Sequence, residues 1–182
     1  MKRLGWSILL IASMALGQTS QPAHHPLNTP EMAKHFGHGT PPIGPLTDLN
    51  HKPFHLKPLK GRWTLLYYWA DWCVPCIEEG IPSLTSFVNT HQADKAKFQV
   101  VAIRFGSPHE NFEWKDFHAK TLKLEKTVWH NVPPFPMVYD ESSQMTTAWG
   151  IHELPTYALI DPHGNLVRGG NLEVLRTKID GK

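Results

Sequence analysis

The two cysteines of this 182-residue chain lie in one run, Trp72-Cys73-Val74-Pro75-Cys76. Thiols spaced this way close on each other or act in sequence on a third sulfur. The apolar run Thr64-Leu65-Leu66-Tyr67-Tyr68-Trp69 precedes them, and Ile77, Ile81, Leu84 and Val88 follow at the spacing of one helix face. A strand therefore leads into a helix, with Cys73 at the helix N-terminus. There, unpaired N–H groups and the aligned peptide dipoles favour a thiolate. The chemistry this predicts is dithiol–disulfide exchange: Cys73 attacks, and Cys76, one turn further in, resolves the mixed disulfide. Val74 and Pro75 would tune the pair. A purely structural bridge is the poorer reading, because so small a loop constrains the unfolded chain little.

The elements that must position these thiols follow from hydrophobic pattern. Leu46 and Phe54-His55-Leu56 around Asn50-His51-Lys52 predict an N-terminal β-hairpin. The near-continuous apolar run through Trp69 fits a strand buried on both faces. Further strands are expected over 98–105, 137–139 and 157–160, the last turning through Asp161-Pro162-His163-Gly164-Asn165 into a hairpin with 166–168. Helices are expected over 111–120 and 143–149, the second stopping at Gly150, and a short closing helix over 172–179. The predicted fold class is α/β: a central mixed sheet flanked by helices, with an N-terminal β-hairpin extension.

Around this domain, expected over 43–182, the chain divides simply. Lys2 and Arg3, a mostly apolar stretch over 4–16 and the small-x-small Ala15-Leu16-Gly17 predict a secretory signal over 1–17. That apolar stretch is short for a bilayer span, so an uncleaved anchor is the lesser alternative. Residues 18–42, with Pro22, Pro26, Pro30, Pro41 and Pro42 and no apolar periodicity, read as a linker. Its histidines, His24, His25, His35 and His38, open a metal-binding alternative: a copper-binding chaperone using the dithiol and imidazoles. Against a zinc site stands the lack of a second Cys-x-x-Cys. A formal charge of +2 gives no reason to expect nucleic acid.

The region from Ile43 to about Gly169 resembles the TlpA/ResA-like thiol–disulfide oxidoreductases of the thioredoxin superfamily, a redoxin or AhpC/TSA-like domain. The resemblance rests on Leu46-Thr47-Asp48-Leu49-Asn50, Leu56-Lys57-Pro58-Leu59-Lys60-Gly61, Trp69-Ala70-Asp71-Trp72-Cys73-Val74-Pro75-Cys76, Glu79, Leu154-Pro155-Thr156 and Leu159-Ile160-Asp161-Pro162-His163-Gly164. It implies a thioredoxin-like fold and an exported, periplasmic or extracytoplasmic protein. It also implies protein thiols and disulfides as substrates, a membrane thiol reductant as electron donor, and no cofactor. The chain is expected to work as a monomer.

Residue by residue, the resemblance makes Pro155 a cis proline packed on the cysteine pair, with Leu154 and Thr156 beside it as substrate-binding positions. Trp72 becomes a flat apolar contact for partner proteins, whereas Trp69 is expected in the core. Glu79 is implied to manage the proton of Cys76, as a carboxylate within reach can do. Tyr67 stands where cytoplasmic thioredoxins keep a buried Asp. Asp71 matches an acidic residue of some relatives, and its charge would modestly oppose a thiolate. Two departures are visible. A peroxidase of the same superfamily wants Thr-x-x-Cys, but this chain has Ala70-Asp71-Trp72-Cys73. The helix proline, Pro82, comes six residues after Cys76 instead of the usual five, which predicts a local shift in the helix.

Overall fold

The computed structural model describes residues 29–56, 59–107 and 109–181. The signal expected over 1–17 lies outside them. Six strands form one sheet in the order β2-β1-β5-β4-β3-β6. At its centre β3 (Trp63–Trp69) and β4 (Phe98–Arg104) run parallel, paired from Trp63 with Phe98 to Trp69 with Arg104. Beyond β4, β5 (Met137–Tyr139) is also parallel, whereas β6 (Thr156–Ile160) lies antiparallel on the other side of β3. The N-terminal hairpin, β1 (Leu46–Asp48) and β2 (Pro53–Phe54), adds to the β5 edge, β1 antiparallel to β5. This is the expected mixed sheet with its hairpin extension.

The two-residue period of a strand divides the core. Leu65, Tyr67 and Trp69 face one cluster with Val100, Ala102 and the helices α2 (Ile81–Thr90), α3 (Trp114–Thr127) and α5 (Leu172–Asp180). Leu66 and Tyr68 face a second cluster with Val101, Ile103 and Val138, covered by α1 (Pro30–Ala33) and α4 (Gln144–Ala148). Both cysteines belong to the first cluster. On the second face the Tyr68 hydroxyl is buried with no hydrogen-bond partner among the described residues. An unpaired buried hydroxyl costs stability, so Tyr68→Phe is expected to be neutral or to stabilise by about 1 kcal/mol in urea unfolding. A loss above that size would mean that the hydroxyl has a partner.

Three sequence expectations need correction. The helix expected over 111–120 begins and ends later, as α3. Glu113 and Asp116 start it with a reciprocal capping box, the Glu113 N–H donating to Asp116 Oδ2 at 3.0 Å. The part of the proposed linker within the described residues is a packed strap. Thr29 caps α1, Met32 is 1% exposed in the second cluster, and Trp149 Nε1 donates to the Pro42 carbonyl at 2.9 Å. The strap continues past Phe36, which bridges to Leu166, and Leu166 N–H donates to the Gly39 carbonyl. The closing hairpin reduces to a single bridge between Ile160 and Leu166, flanked by Asp161 N–H to the Asn165 carbonyl and Val167 N–H to the Leu159 carbonyl.

Candidate active site

The helix carrying the cysteines starts at Val74, directly after Cys73. Cys73 accepts on its carbonyl the N–H groups of Cys76 (3.0 Å) and Ile77 (3.1 Å), so it caps the first turn. Pro75 sits within that turn, where a missing N–H removes no helical bond. The two cysteines are joined as a disulfide, with Cα atoms 5.2 Å apart. Cys73 retains slight exposure while Cys76 has none. Flanking them, Trp72 and Val74 are 58% and 56% exposed, an apolar surface around the outer sulfur.

The late proline has a definite structural consequence. Residues Cys76–Gly80 form a π-helical turn, in which Ile81 N–H donates to the Cys76 carbonyl five residues back. The one-residue displacement of Pro82 is thus absorbed as a wider turn beside the inner cysteine. In that register the next donor, to the Ile77 carbonyl, would be residue 82, which as proline has no N–H. The indole N–H of Trp129 supplies it instead, at 2.8 Å. Trp129 in turn packs edge-on against Trp69, 5.9 Å between ring centres. Trp69 is core, as expected.

Beneath the wide turn lies Tyr67. Its hydroxyl donates to the Cys76 carbonyl at 3.3 Å, and its ring packs on that of Tyr157, its partner across β3 and β6, at 4.8 Å. Burial pushes the Tyr67 hydroxyl far above the ordinary tyrosine range, with Tyr157 and Glu79 adding to it. Burial, Glu173 and Glu79 together push Tyr157 up to about 12. Both stay neutral at any working pH. Gly80 leaves room for Tyr67: a Cβ there would fall on the tyrosine hydroxyl.

Of the residues singled out in the sequence, Glu79 and Pro155 come together. With Pro75, Gly80, Ser83 and Tyr157 they line a small cleft of about 120 Å³, next in the chain to Cys76, which does not itself line it. The Leu154–Pro155 peptide is cis, as the resemblance implied. Glu79 is exposed at this cleft and Glu78 is exposed on the surface. Leu154 is half-buried against both clusters. The contact expected of Thr156 is not met by its side chain. It is 1% exposed, its hydroxyl donates to the Glu153 carbonyl at 2.6 Å, and its backbone is registered against Tyr68. It supports the loop from within.

Asp71 also departs from expectation. Its side chain is only 8% exposed, paired with Arg104 Nη2 at 2.9 Å and with Lys120. Burial alone would raise its pKa, but the hydrogen bonds from these two cations hold it below the usual carboxylate value. A charge so matched does not oppose a thiolate in the way a free surface carboxylate would. Arg104 itself is fully buried at the end of β4. It holds both oxygens of Glu110, at 2.7 and 2.8 Å, and lies over the Phe112 ring at 3.5 Å. Sequence reading passed over Arg104, Gly80, Trp129 and Tyr157.

Among the described residues, no three His, Cys, Asp or Glu side chains converge as a metal ion would require. His24 and His25 lie outside those residues.

Comparison with known proteins agrees with this geometry. The chain is 30% identical over 159 residues to the thiol-disulfide oxidoreductase ResA of Geobacillus thermodenitrificans, covering 87% of this chain and 80% of the relative. It is 28% identical over 109 residues to the sporulation thiol-disulfide oxidoreductase A of Bacillus subtilis, covering 60% of this chain and 59% of that one. A solved thiol-disulfide oxidoreductase from Bacteroides fragilis superposes with a TM-score of 0.57 at 20% identity, over 77% of this chain and 96% of that one. The last likeness establishes the thioredoxin-like fold. The family model described as AhpC/TSA matches residues 41–168. By that match and by its relatedness to ResA, the chain belongs to the AhpC/TSA family.

Proposed function

We propose that the protein is an exported thiol–disulfide oxidoreductase that reduces disulfides in client proteins. The observation that carries this reading is the cysteine pair at the start of a long helix, its outer member beside exposed Trp72 and Val74, its inner member sealed in the core. In the reduced protein the Cys73 thiolate attacks one sulfur of a client disulfide. The Cys73–client bond forms, the client's own disulfide breaks, and its departing sulfur takes a proton. Cys76 then loses its proton and attacks Cys73, forming the intramolecular disulfide and releasing the second client thiol. Two electrons pass to the client, and the pair must be recharged by an external thiol reductant, for which a membrane partner is the fitting class.

Trp72 and the Leu154 backbone are the contacts proposed for the client, with Pro155 beside the pair. Glu79 is proposed to accept the Cys76 proton, supported by its place on the cleft with Pro75 and Pro155. Glu79→Gln is then expected to slow turnover severalfold and to shift the Cys76 limb of the pH–rate profile. An unchanged profile would leave Glu79 as surface. Export is supported by the signal-like pattern over 1–17.

The deciding experiment is the midpoint potential of the Cys73–Cys76 couple against glutathione or dithiothreitol. A value of roughly −250 mV or below fits a reductant, whereas one near about −120 mV marks a disulfide donor and overturns the direction. The copper-chaperone alternative is tested on the same protein. Stoichiometric Cu(I) binding lost in Cys73→Ser, without dithiol-dependent insulin reduction, would replace the oxidoreductase reading.

A further inference from the structure

The hydroxyl of Tyr67 takes no part in the thiol exchange itself, yet its position is closely specified. It comes from the middle of β3, crosses beneath the helix and reaches the carbonyl of the inner cysteine, nine residues on. That carbonyl is also the acceptor that defines the π-helical turn, through Ile81 N–H. Gly80 leaves the space the hydroxyl needs. One added helical residue, one glycine and one tyrosine thus meet at the backbone of Cys76.

We propose that Tyr67 is a positioning residue for the resolving thiol: its hydroxyl clamps the Cys76 carbonyl and fixes the wide turn from which Cys76 delivers its sulfur to Cys73. This rests on the reading above in which Cys76 resolves. The hydroxyl acts as a fixed donor. It is buried, its ring packs on that of Tyr157, whose hydroxyl also hydrogen-bonds with it, and it stays protonated through the working pH range, so it takes no proton from Cys76. What it supplies is geometry. Attack within a mixed disulfide requires the incoming sulfur in line with the bond it breaks. A backbone free to relax between wide and normal helical turns would spend part of its time out of line. Attack by Cys73 on an external disulfide uses none of this, because that sulfur lies before the turn.

The two steps separate in the reaction of the reduced protein with 5,5′-dithiobis(2-nitrobenzoate). Cys73 attacks first and releases one thionitrobenzoate in a phase proportional to reagent concentration. Cys76 then loses its proton and attacks Cys73, releasing a second in a concentration-independent phase. For Tyr67→Phe, which keeps the ring, the first phase is expected unchanged. The second should be slower by about fivefold, the rate equivalent of one hydrogen bond. Tyr68→Phe removes the neighbouring hydroxyl, on the opposite face, and is expected to leave both phases as they are. If Tyr67→Phe lowers the unfolding midpoint but leaves the second phase at the wild-type rate, the tyrosine is merely structural and the proposal fails. It also fails if Tyr68→Phe slows the second phase equally, since the cause would then be a loosened β3. A wild-type protein that releases only one thionitrobenzoate per chain would instead refute Cys76 as the resolving thiol, a different result from either.

Discussion

Cys73→Ser is expected to abolish client reduction, with loss of at least about 10³-fold in insulin-reduction rate, whereas Cys76→Ser is expected to accumulate stable mixed disulfides. The asymmetry follows from placement. Cys73 caps the helix, accepts two of its N–H groups on its carbonyl and stands beside exposed Trp72 and Val74. A hydroxyl there is hardly ionised at neutral pH and is a far weaker nucleophile toward sulfur than a thiolate. Cys76 is fully buried, whereas Cys73 keeps slight exposure, so the outer sulfur is the one a client meets. Removing its thiol should leave the first attack intact and block only the escape. Non-reducing electrophoresis of Cys76→Ser with an oxidised client should show a covalent adduct that dithiothreitol dissolves. An adduct with Cys73→Ser in its place would reverse the assignment. Release of clients by Cys76→Ser at the wild-type rate would remove the resolving step altogether.

Much of this site is legible in the sequence because its parts are local. The strand through Trp69, the cysteine pair and the helix face Ile81, Leu84, Val88 are adjacent in the chain and fix one another. The late Pro82 announces an irregular helix, but the π-helical turn that results has its outside donors on another strand, Tyr67, and on a distant part of the chain, Trp129. Neither the donor to the Cys76 carbonyl nor the donor to that of Ile77 has a local signature. The length of α3 is obscured for another reason. Its buried face runs Phe117, Thr121, Leu124, Val128, and a threonine at the second position, among Lys120, Lys123 and Lys126, breaks the apolar stripe. The strap over 29–42 escapes periodicity altogether. It buries single residues such as Met32 and is held chiefly by backbone and indole hydrogen bonds. Asp71 misleads because a carboxylate beside a reactive cysteine reads as an electrostatic influence until its partners are known.

Those partners give the second large expected effect. Arg104→Met should destabilise the oxidised protein by about 3 kcal/mol, near the lower end for breaking a buried ion pair by removing one partner. The arginine is fully buried and bridges Asp71, two residues before Cys73, to Glu110 in the connection between β4 and α3. Without it Asp71 keeps Lys120, and Glu110, whose side chain is 27% exposed, can turn to water; both soften the loss. Part of the cost is the stranded charge, not the lost attraction. Adding Asp71→Asn and Glu110→Gln to Arg104→Met should therefore recover stability. The pH dependence has a definite sign. A carboxylate with a depressed folded pKa contributes stability that is complete above its unfolded value of about 3.9 and is lost as pH falls through the folded one. Wild type should accordingly lose stability in acid more steeply than Arg104→Met, in which Asp71 has one cation fewer. Urea unfolding at neutral pH and again near pH 3 checks both statements. A loss under about 1 kcal/mol for Arg104→Met at neutral pH would show that solvent, not the arginine, balances Asp71 and Glu110, as for exposed ion pairs. If the loss is as large as expected, the exposed approach to Cys73 is held by a charge cluster whose cationic centre lies wholly inside the fold. Substitutions at Arg104 should then alter the rate of Cys73 attack while leaving the resolving step to the turn around Cys76.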